Sequence, residues 1–180
     1  MKSALILVDL QNDFLPGGAL AVAGGDEVIE VANRLAHGHP LVIATQDWHP
    51  AGHSSFGLWP VHCVQNTGGA LFAQGLETRA IHRVFPKGDD PLIDSYSGFF
   101  DNDHRKSTGL GEYLKSEGVT GVTIIGLATD YCVKFTALDA RSLGLEVTLI
   151  KSGCRAVNLQ PGDERAAIEE MRRAGVTVAD

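Results

Sequence analysis

Cys132 stands where an apolar run gives way to a segment with helical spacing, in the stretch GLATDYCVKFTALDA. The run VTIIG before it has the length and composition of a strand that is buried on both faces. A thiol at the first turn of a helix meets unpaired backbone N–H groups and the positive end of the helix dipole, which lower its pKa. We therefore expect a nucleophile that is partly thiolate at neutral pH, and the alternative is a buried, inert cysteine.

Two charged residues could assist such a thiol. Asp9 ends the first apolar run and could take the thiol proton, and Lys87 could hold the resulting anions in place. Either residue alone is ordinary at a strand end or in a loop, so only the combination with Cys132 points to catalysis. Cys63 and Cys154 have no comparable setting, and we expect both to be structural.

The segment TQDWHPAGHSSFGLWPVHC concentrates groups that bind metal ions. Asp47 and His49 flank a tryptophan, so in an extended chain they project to the same side, and His53 and His62 follow closely. One carboxylate with imidazoles suits a divalent transition metal ion such as Zn²⁺, Fe²⁺ or Mn²⁺. The alternative is that these histidines decorate a polar loop. The other histidines lack such neighbours and are expected at the surface, namely His37, His39, His82 and His104.

Strand-like and helix-like segments alternate along the chain, and this order should position the candidate residues. The predicted strands are Ala4–Val8, Leu41–Thr45, Ala80–Phe85, Val122–Gly126, Val147–Ile150 and Val176–Val178. The predicted helices are Asp26–Leu35, Thr108–Glu117, Cys132–Leu143 and Asp163–Ala174. The alternation predicts a single-domain, three-layer α/β/α fold over residues 1–180, with a mostly parallel sheet of about six strands. Because ligands bind beyond the carboxyl ends of such strands, the candidate residues should gather at one edge.

Composition narrows the classes of function. The 180 residues are 44% hydrophobic and carry a net charge of −7, which argues against binding to nucleic acid. We see no apolar run long enough to cross a membrane and no secretory leader. Three cysteines, an odd number in a chain that can build a core, favour a reducing compartment, and we expect a cytoplasmic protein.

Taken in order, the motifs resemble those of the nicotinamidases (pyrazinamidases) of the isochorismatase-like cysteine hydrolase superfamily. The resemblance covers nearly the whole chain and is carried by LVDLQNDF, TQDWHPAGH, WPVHCVQ, FPKG, SYSGFF and GLATDYCV. It implies an isochorismatase-like fold and a metal-dependent amidohydrolase that converts nicotinamide to nicotinate and ammonia through a thioester. It also implies action on pyrazinamide and a place in NAD salvage.

The resemblance assigns roles to particular residues. It implies a catalytic triad of Asp9, Lys87 and Cys132. It also implies a cis peptide bond between Leu127 and Ala128, with an oxyanion hole made by the N–H groups of Ala128 and Cys132. The implied ring-binding residues are Phe14, Trp59 and Tyr131. The implied metal residues are Asp47, His49 and His62, with His53 close by.

The chain departs from these relatives between Ser54 and Trp59, where only SFGL stands in place of a longer insertion. From the sequence we favour residues missing at this point over a truly short segment. Two rival functions remain at this stage. One is another hydrolase of the superfamily, such as an isochorismatase or a carbamoyl amidase, and the other is a non-enzymatic metal-binding module. The oligomeric state stays open, a homo-oligomer being one alternative.

Overall fold

A computed structural model describes residues 2–180 of the chain. Its six strands are β1 (Ser3–Val8), β2 (Val42–Asp47), β3 (Arg83–Lys87), β4 (Gly121–Leu127), β5 (Glu146–Arg155) and β6 (Thr177–Ala179). Its four α-helices are α1 (Val28–Gly38), α2 (Leu110–Ser116), α3 (Lys134–Ser142) and α4 (Asp163–Arg173). None of the helices in the described residues is long and apolar enough to cross a bilayer.

The strands form one parallel sheet in the order β3-β2-β1-β4-β5-β6. The chain builds outward from β1 through β2 to β3, then returns to the other side of β1 and builds outward again through β4, β5 and β6. The direction of winding therefore reverses between β1 and β4, where open parallel sheets place their ligand crevice. With helices covering the sheet, this confirms the predicted single-domain α/β/α fold.

The two central strands, β1 and β4, lie unusually close at their carboxyl ends. Val8 is in register with Gly126. Gly126 has a φ of +134°, and a Cβ at this position would overlap the Val8 carbonyl group. Only glycine fits such a conformation and contact. The close approach places Asp9, which follows β1, beside the turn that follows β4.

The largest departures from the predicted strand boundaries are at the start of β3 and at the end of β5. β3 begins at Arg83 instead of Ala80, because Thr78–Ala80 forms a 3-10 turn before it. β5 continues to Arg155 instead of ending at Ile150. The register between β4 and β5 shifts after Ile124, and the last residues of β5 then pair with Gly126 and Leu127 of β4.

The predicted start of the helix at Cys132 was also wrong. Thr129–Val133 forms a π-helical turn, and α3 begins only at Lys134. Cys132 therefore lies in an irregular turn between strand and helix. Such π turns occur frequently at functional sites.

Candidate active site

The ends of the four strands next to the crevice bring the candidate catalytic and metal residues together. Asp9 directly follows β1 and has a φ of +50°, a conformation uncommon outside glycine. Asp47 and Lys87 are the last residues of β2 and β3 and lie in register with each other. Cys132 lies in the turn after β4. The sheet thus gathers them at one edge, as the order of elements predicts.

Lys87 is the centre of this cluster. Its side chain is only 1% exposed. Its ammonium group donates hydrogen bonds to Asp47 Oδ1, to the Ser95 carbonyl oxygen at 2.8 Å and to Cys132 Sγ at 3.4 Å. The same nitrogen lies 2.9 Å from Asp9 Oδ2, close enough for an ion pair. One buried cation therefore touches both carboxylates and the thiol.

Asp9 presents its two oxygens differently. Oδ1 accepts a hydrogen bond of 2.6 Å from the Thr45 hydroxyl group. Oδ2 is buried 2.9 Å from the Lys87 ammonium nitrogen, and by geometry it accepts no hydrogen bond from the described residues. Oδ2 is therefore available to accept a proton in the crevice.

Burial and charge set the protonation of this cluster. Burial raises the pKa of the Cys132 thiol well above its ordinary value, and the Lys87 charge opposes that rise without cancelling it. Burial also raises the pKa of Asp9 against the same opposing charge. Burial would lower the pKa of Lys87, but the charges of Asp47 and Asp9 raise it well above its usual range. One ammonium cannot hold two carboxylates and a thiolate together in a dry site.

The pKa of the Cys132 thiol is therefore shifted in the direction opposite to the one expected from the sequence. Cys132 does not begin a regular helix, and its nearest charges include two carboxylates as well as Lys87. A thiol whose pKa is raised holds its proton more tightly, and that proton must leave during the reaction. Cys63 and Cys154 are also buried, and burial raises the pKa of both thiols, that of Cys154 to about 12.

A second group adjoins the first through Asp47. The carboxylate of Asp47 uses Oδ1 for Lys87, while Oδ2 lies 3.4 Å from His49 Nε2 and 3.8 Å from His62 Nε2. All three side chains are buried, and their donor atoms lie within 4.8 Å of one another. Burial would raise the pKa of Asp47, but Lys87 and the imidazoles outweigh it and hold that pKa low. An ionised carboxylate thus faces two imidazole nitrogens.

The donor set fits a divalent transition metal ion. His49 Nδ1 donates to the Gly88 carbonyl oxygen and His62 Nδ1 donates to the Pro60 carbonyl oxygen, each at 2.7 Å. A carbonyl oxygen can only accept, so each Nδ1 carries a proton, and in the neutral ring Nε2 then carries the lone pair. His49 Nε2 is buried and has no hydrogen-bond partner among residues 2–180. Fixing a histidine by its second nitrogen is typical of metal ligands.

His53 lies against this group but is held differently. Its ring stacks on that of His49 with centroids 4.2 Å apart. Its Nδ1 faces the Ser55 backbone N–H at 3.2 Å and the Ser55 hydroxyl at 2.7 Å. The remaining histidines agree with expectation, since His37, His82 and His104 are exposed and His39 is half-buried.

An apolar cleft leads to Cys132 and Asp47. Phe14, Trp59 and Tyr131 line it, as the resemblance implies, together with Ala128. The cis peptide bond between Leu127 and Ala128 is present. A larger groove lies elsewhere, between α2 and the turn after α3, and contains none of the candidate residues.

Sequence reasoning missed several residues of the cleft. Tyr96 and Asp94 line it, and Trp59 Nε1 donates a hydrogen bond of 3.2 Å to the Tyr96 hydroxyl. Tyr96 lies within the SYSGFF motif, so the motif was an available signal. Thr45, which donates a hydrogen bond to Asp9, lies on β2 two residues before Asp47. Side chains two residues apart on a strand project to the same face, so the sequence could have placed Thr45 beside Asp47.

The segment between Ser54 and Trp59 is short in this chain, and the expectation that residues are missing there stays a prediction. Ser54–Gly57 forms a 3-10 turn capped by the side chain of His53. Trp59 N–H then bonds to the Ser55 carbonyl oxygen at 2.8 Å. The turn delivers Trp59 directly to the cleft.

The fold and the cluster at its switch point place this chain in the isochorismatase family, whose domain model matches residues 3–180. The chain is 49% identical over 199 aligned positions to the nicotinamidase of Escherichia coli (strain K12), covering 97% of this chain and 93% of that relative. A nicotinamidase/pyrazinamidase structure from Acinetobacter baumanii has a TM-score of 0.96 and 39% identity, covering 99% and 96% of the two chains. The pyrazinamidase of Pyrococcus horikoshii in complex with zinc has a TM-score of 0.88 and 41% identity, covering 100% and 99%.

Proposed function

We propose that this chain is a nicotinamidase, which hydrolyses nicotinamide to nicotinate and ammonia and takes pyrazinamide as an analogue. The names of its relatives support this activity. The observation that carries the proposal is the contact of one buried ammonium, Lys87, with Asp9, Asp47 and the Cys132 sulfur. A site that only bound metal would have no use for a lysine and a thiol at this place.

In the first half of the reaction, Cys132 attacks the carboxamide carbon while Asp9 Oδ2 takes the thiol proton. The new C–S bond pushes the carbonyl electrons onto oxygen. The backbone N–H groups of Ala128 and Cys132 receive that oxyanion, and such a donor is typically worth roughly 10²–10³ in rate. Asp9 then passes its proton to the amide nitrogen, and ammonia leaves as the C–N bond breaks.

In the second half, water attacks the thioester and Asp9 acts as base. The C–S bond breaks, nicotinate leaves, and the proton held by Asp9 returns to the thiol. Lys87 keeps its proton throughout, because two carboxylates hold it. Its role is to hold the anions of the triad in place while Asp9 moves the proton.

The cleft would hold the pyridine ring between aromatic side chains. Trp59 and Tyr131 meet edge to face, with ring centroids 5.1 Å apart, and Phe14 lies on the same wall as His62. An aromatic slot favours a flat heteroaromatic amide over an aliphatic carbamoyl substrate. We therefore prefer nicotinamide to the substrates of the rival amidases.

Asp47, His49 and His62 would hold one divalent transition metal ion, and His53 lies close by. The bound ion would supply a Lewis acid that accepts the lone pair of the ring nitrogen. Asp47 contacts Lys87 as well as the two histidines. It would therefore hold the ion, and with it the substrate ring, at a set distance from Cys132. Zinc, iron and manganese all suit this donor set.

The proposal places the chain in NAD salvage, with a small molecule as its partner. Ammonia release should be measured with nicotinamide, pyrazinamide and a carbamoyl amide, and pyruvate release should be measured with isochorismate. The proposal expects turnover of the first two and little of the others. Turnover of the carbamoyl amide alone would support the rival hydrolase, and no turnover of any of them would support a binding module.

A further inference from the structure

Asp130 belongs to the same π-helical turn as Cys132, but the proposed reaction gives it no role. Its side chain is buried, and backbone groups engage both oxygens of its carboxylate. Oδ1 accepts the Val157 backbone N–H and Oδ2 accepts the Asn158 backbone N–H, each at 2.8 Å. Hydrogen bonds to an ionised group are about twice as strong as those between neutral groups, so Asp130 grips these two residues firmly.

The two donors come from successive residues that follow β5. Asn158 has a φ of +52°, a left-handed conformation that asparagine adopts more readily than most residues. Consecutive backbone N–H groups that converge on one point form a concavity that suits an anion. The chain after β5 is therefore shaped around the Asp130 carboxylate.

This segment has few other attachments. Residues 156–162 form neither helix nor strand. The Asn158 side chain accepts the Glu164 N–H at 2.9 Å, but that bond leads only to the start of α4. Among the described residues, the two bonds to Asp130 are the hydrogen bonds that tie this segment to the turn of Cys132. The position of the segment relative to that turn therefore depends on one side chain.

Val157 brings this segment into the substrate cleft, where it lines the wall together with Ala128 and Tyr131 of the turn. The turn itself is closed by its own backbone, because the Ala128 carbonyl oxygen accepts the N–H groups of Tyr131 and Val133, each at 3.1 Å. The turn should therefore keep its shape without Asp130, whereas Val157 should not keep its place. Asp130 should then matter more for how the ring is held than for the attack on the amide.

We infer that Asp130 is a positioning residue that fixes Val157 as one wall of the ring slot and thereby sets the size of ring that the cleft accepts. The inference rests on the proposed function, since it concerns the substrate of the same site. A fixed wall accepts a single aromatic ring and rejects a substituent at the ring position that faces Val157. If the wall is released, the protein should bind nicotinamide less tightly and discriminate less against larger rings.

The test compares kcat and KM for nicotinamide and for its ring-methylated analogues in variants of the full chain. Val157→Ala enlarges the slot directly and identifies the methyl position that faces this wall. Asp130→Asn places an amide N–H against one of the backbone N–H groups. It should raise KM for nicotinamide about tenfold, leave kcat within about threefold, and favour the same methylated analogue as Val157→Ala. The double variant should show little further change, because both changes act on one wall.

Asp163→Asn is the matched control. Asp163 Oδ2 accepts the Gln160 N–H at 2.8 Å within the same segment, but Asp163 lies outside the lining of the cleft. This variant should leave the preference among the analogues unchanged. Equal relaxation in Asp163→Asn would overturn the inference, as would an Asp130→Asn protein that lost kcat with unchanged selectivity.

Amide hydrogen exchange of the wild-type chain gives an answer that needs no variant. The Val157 and Asn158 amides should exchange slowly although Asn158 is exposed, because the Asp130 carboxylate accepts both protons. Rapid exchange at both amides would overturn the inference. A wild-type chain that hydrolysed no amide would overturn the proposed function itself, a result distinct from turnover with unchanged selectivity.

Discussion

Thr45 donates a 2.6 Å hydrogen bond to Asp9 and so decides which oxygen of that carboxylate is free. Both residues are fully buried, so water cannot replace this bond. The bond holds Oδ1 and leaves Oδ2 beside the Lys87 ammonium and the cleft. The orientation of the proposed proton carrier therefore depends on a side chain that never meets the substrate.

Thr45→Val should slow turnover while preserving the shape of the site. A hydrogen bond to a charged group is worth about 1.5–3 kcal/mol, which predicts a loss of roughly ten- to a hundredfold in kcat. The bond favours the ionised form of Asp9, so its loss raises the pKa of Asp9 further. The acidic limb of the pH–rate profile should then move to higher pH. Thr45→Ser restores the hydroxyl and should restore both kcat and the profile.

Cys132→Ala should abolish ammonia release without loss of the fold or of metal binding. Iodoacetamide should still label Cys132 ahead of Cys63 and Cys154, because Cys132 alone of the three lines the cleft. Since burial raises the pKa of the Cys132 thiol, labelling should be slow at neutral pH and accelerate as the pH rises. A rate already at its plateau at neutral pH would show that the thiol is ionised at rest.

Lys87→Met should destabilise the protein as well as inactivate it. The change leaves two buried carboxylates without their cation, and removing one partner of a buried pair costs about 3–5 kcal/mol. Burial already raises the pKa of Asp9, so the folded state gains protons more readily than the unfolded chain, and the deficit should shrink as the pH falls. Urea denaturation measures this. Adding Asp9→Asn should recover part of the stability and none of the activity.

Removal of the metal ion tests how the ring is recognised. Benzamide has nearly the shape of nicotinamide but lacks the ring nitrogen, so the metal-loaded protein should strongly prefer nicotinamide. Chelation, or His49→Ala, should erase most of that preference in kcat/KM. A preference that survived both treatments would mean that side chains read the nitrogen and that the ion is structural.

Much of the fold followed from local pattern. Apolar runs such as that of β1 are buried on both faces, and turn residues separate them from amphipathic helices, so order and strand ends could be predicted. The end of β5 could not be predicted in this way, because its last residues pair with β4 only after the register shifts between Ile124 and Gly126. That pairing depends on contacts between distant segments, which no local window contains.

The candidate site also has features that the sequence predicts and features that it does not. Asp9, Asp47, Lys87 and Cys132 were predictable because strand ends share an edge. The direction of the Cys132 pKa shift could not be predicted from the sequence. It depends on how completely distant segments bury the thiol and on which charges they bring beside it. The contact of His53 Nδ1 with the Ser55 backbone N–H likewise depends on a turn whose shape the sequence did not reveal.

Trapping the acyl enzyme tests the central claim most directly. Wild-type protein is mixed with nicotinamide, quenched in acid within the first turnover, and its peptides are analysed by mass spectrometry. The account predicts a nicotinoyl group on the peptide that carries Cys132, which hydroxylamine releases as the hydroxamate, and none on Cys63 or Cys154. Ammonia release with no acyl group on Cys132 at any quench time, or with an undiminished rate in Cys132→Ala, would contradict it.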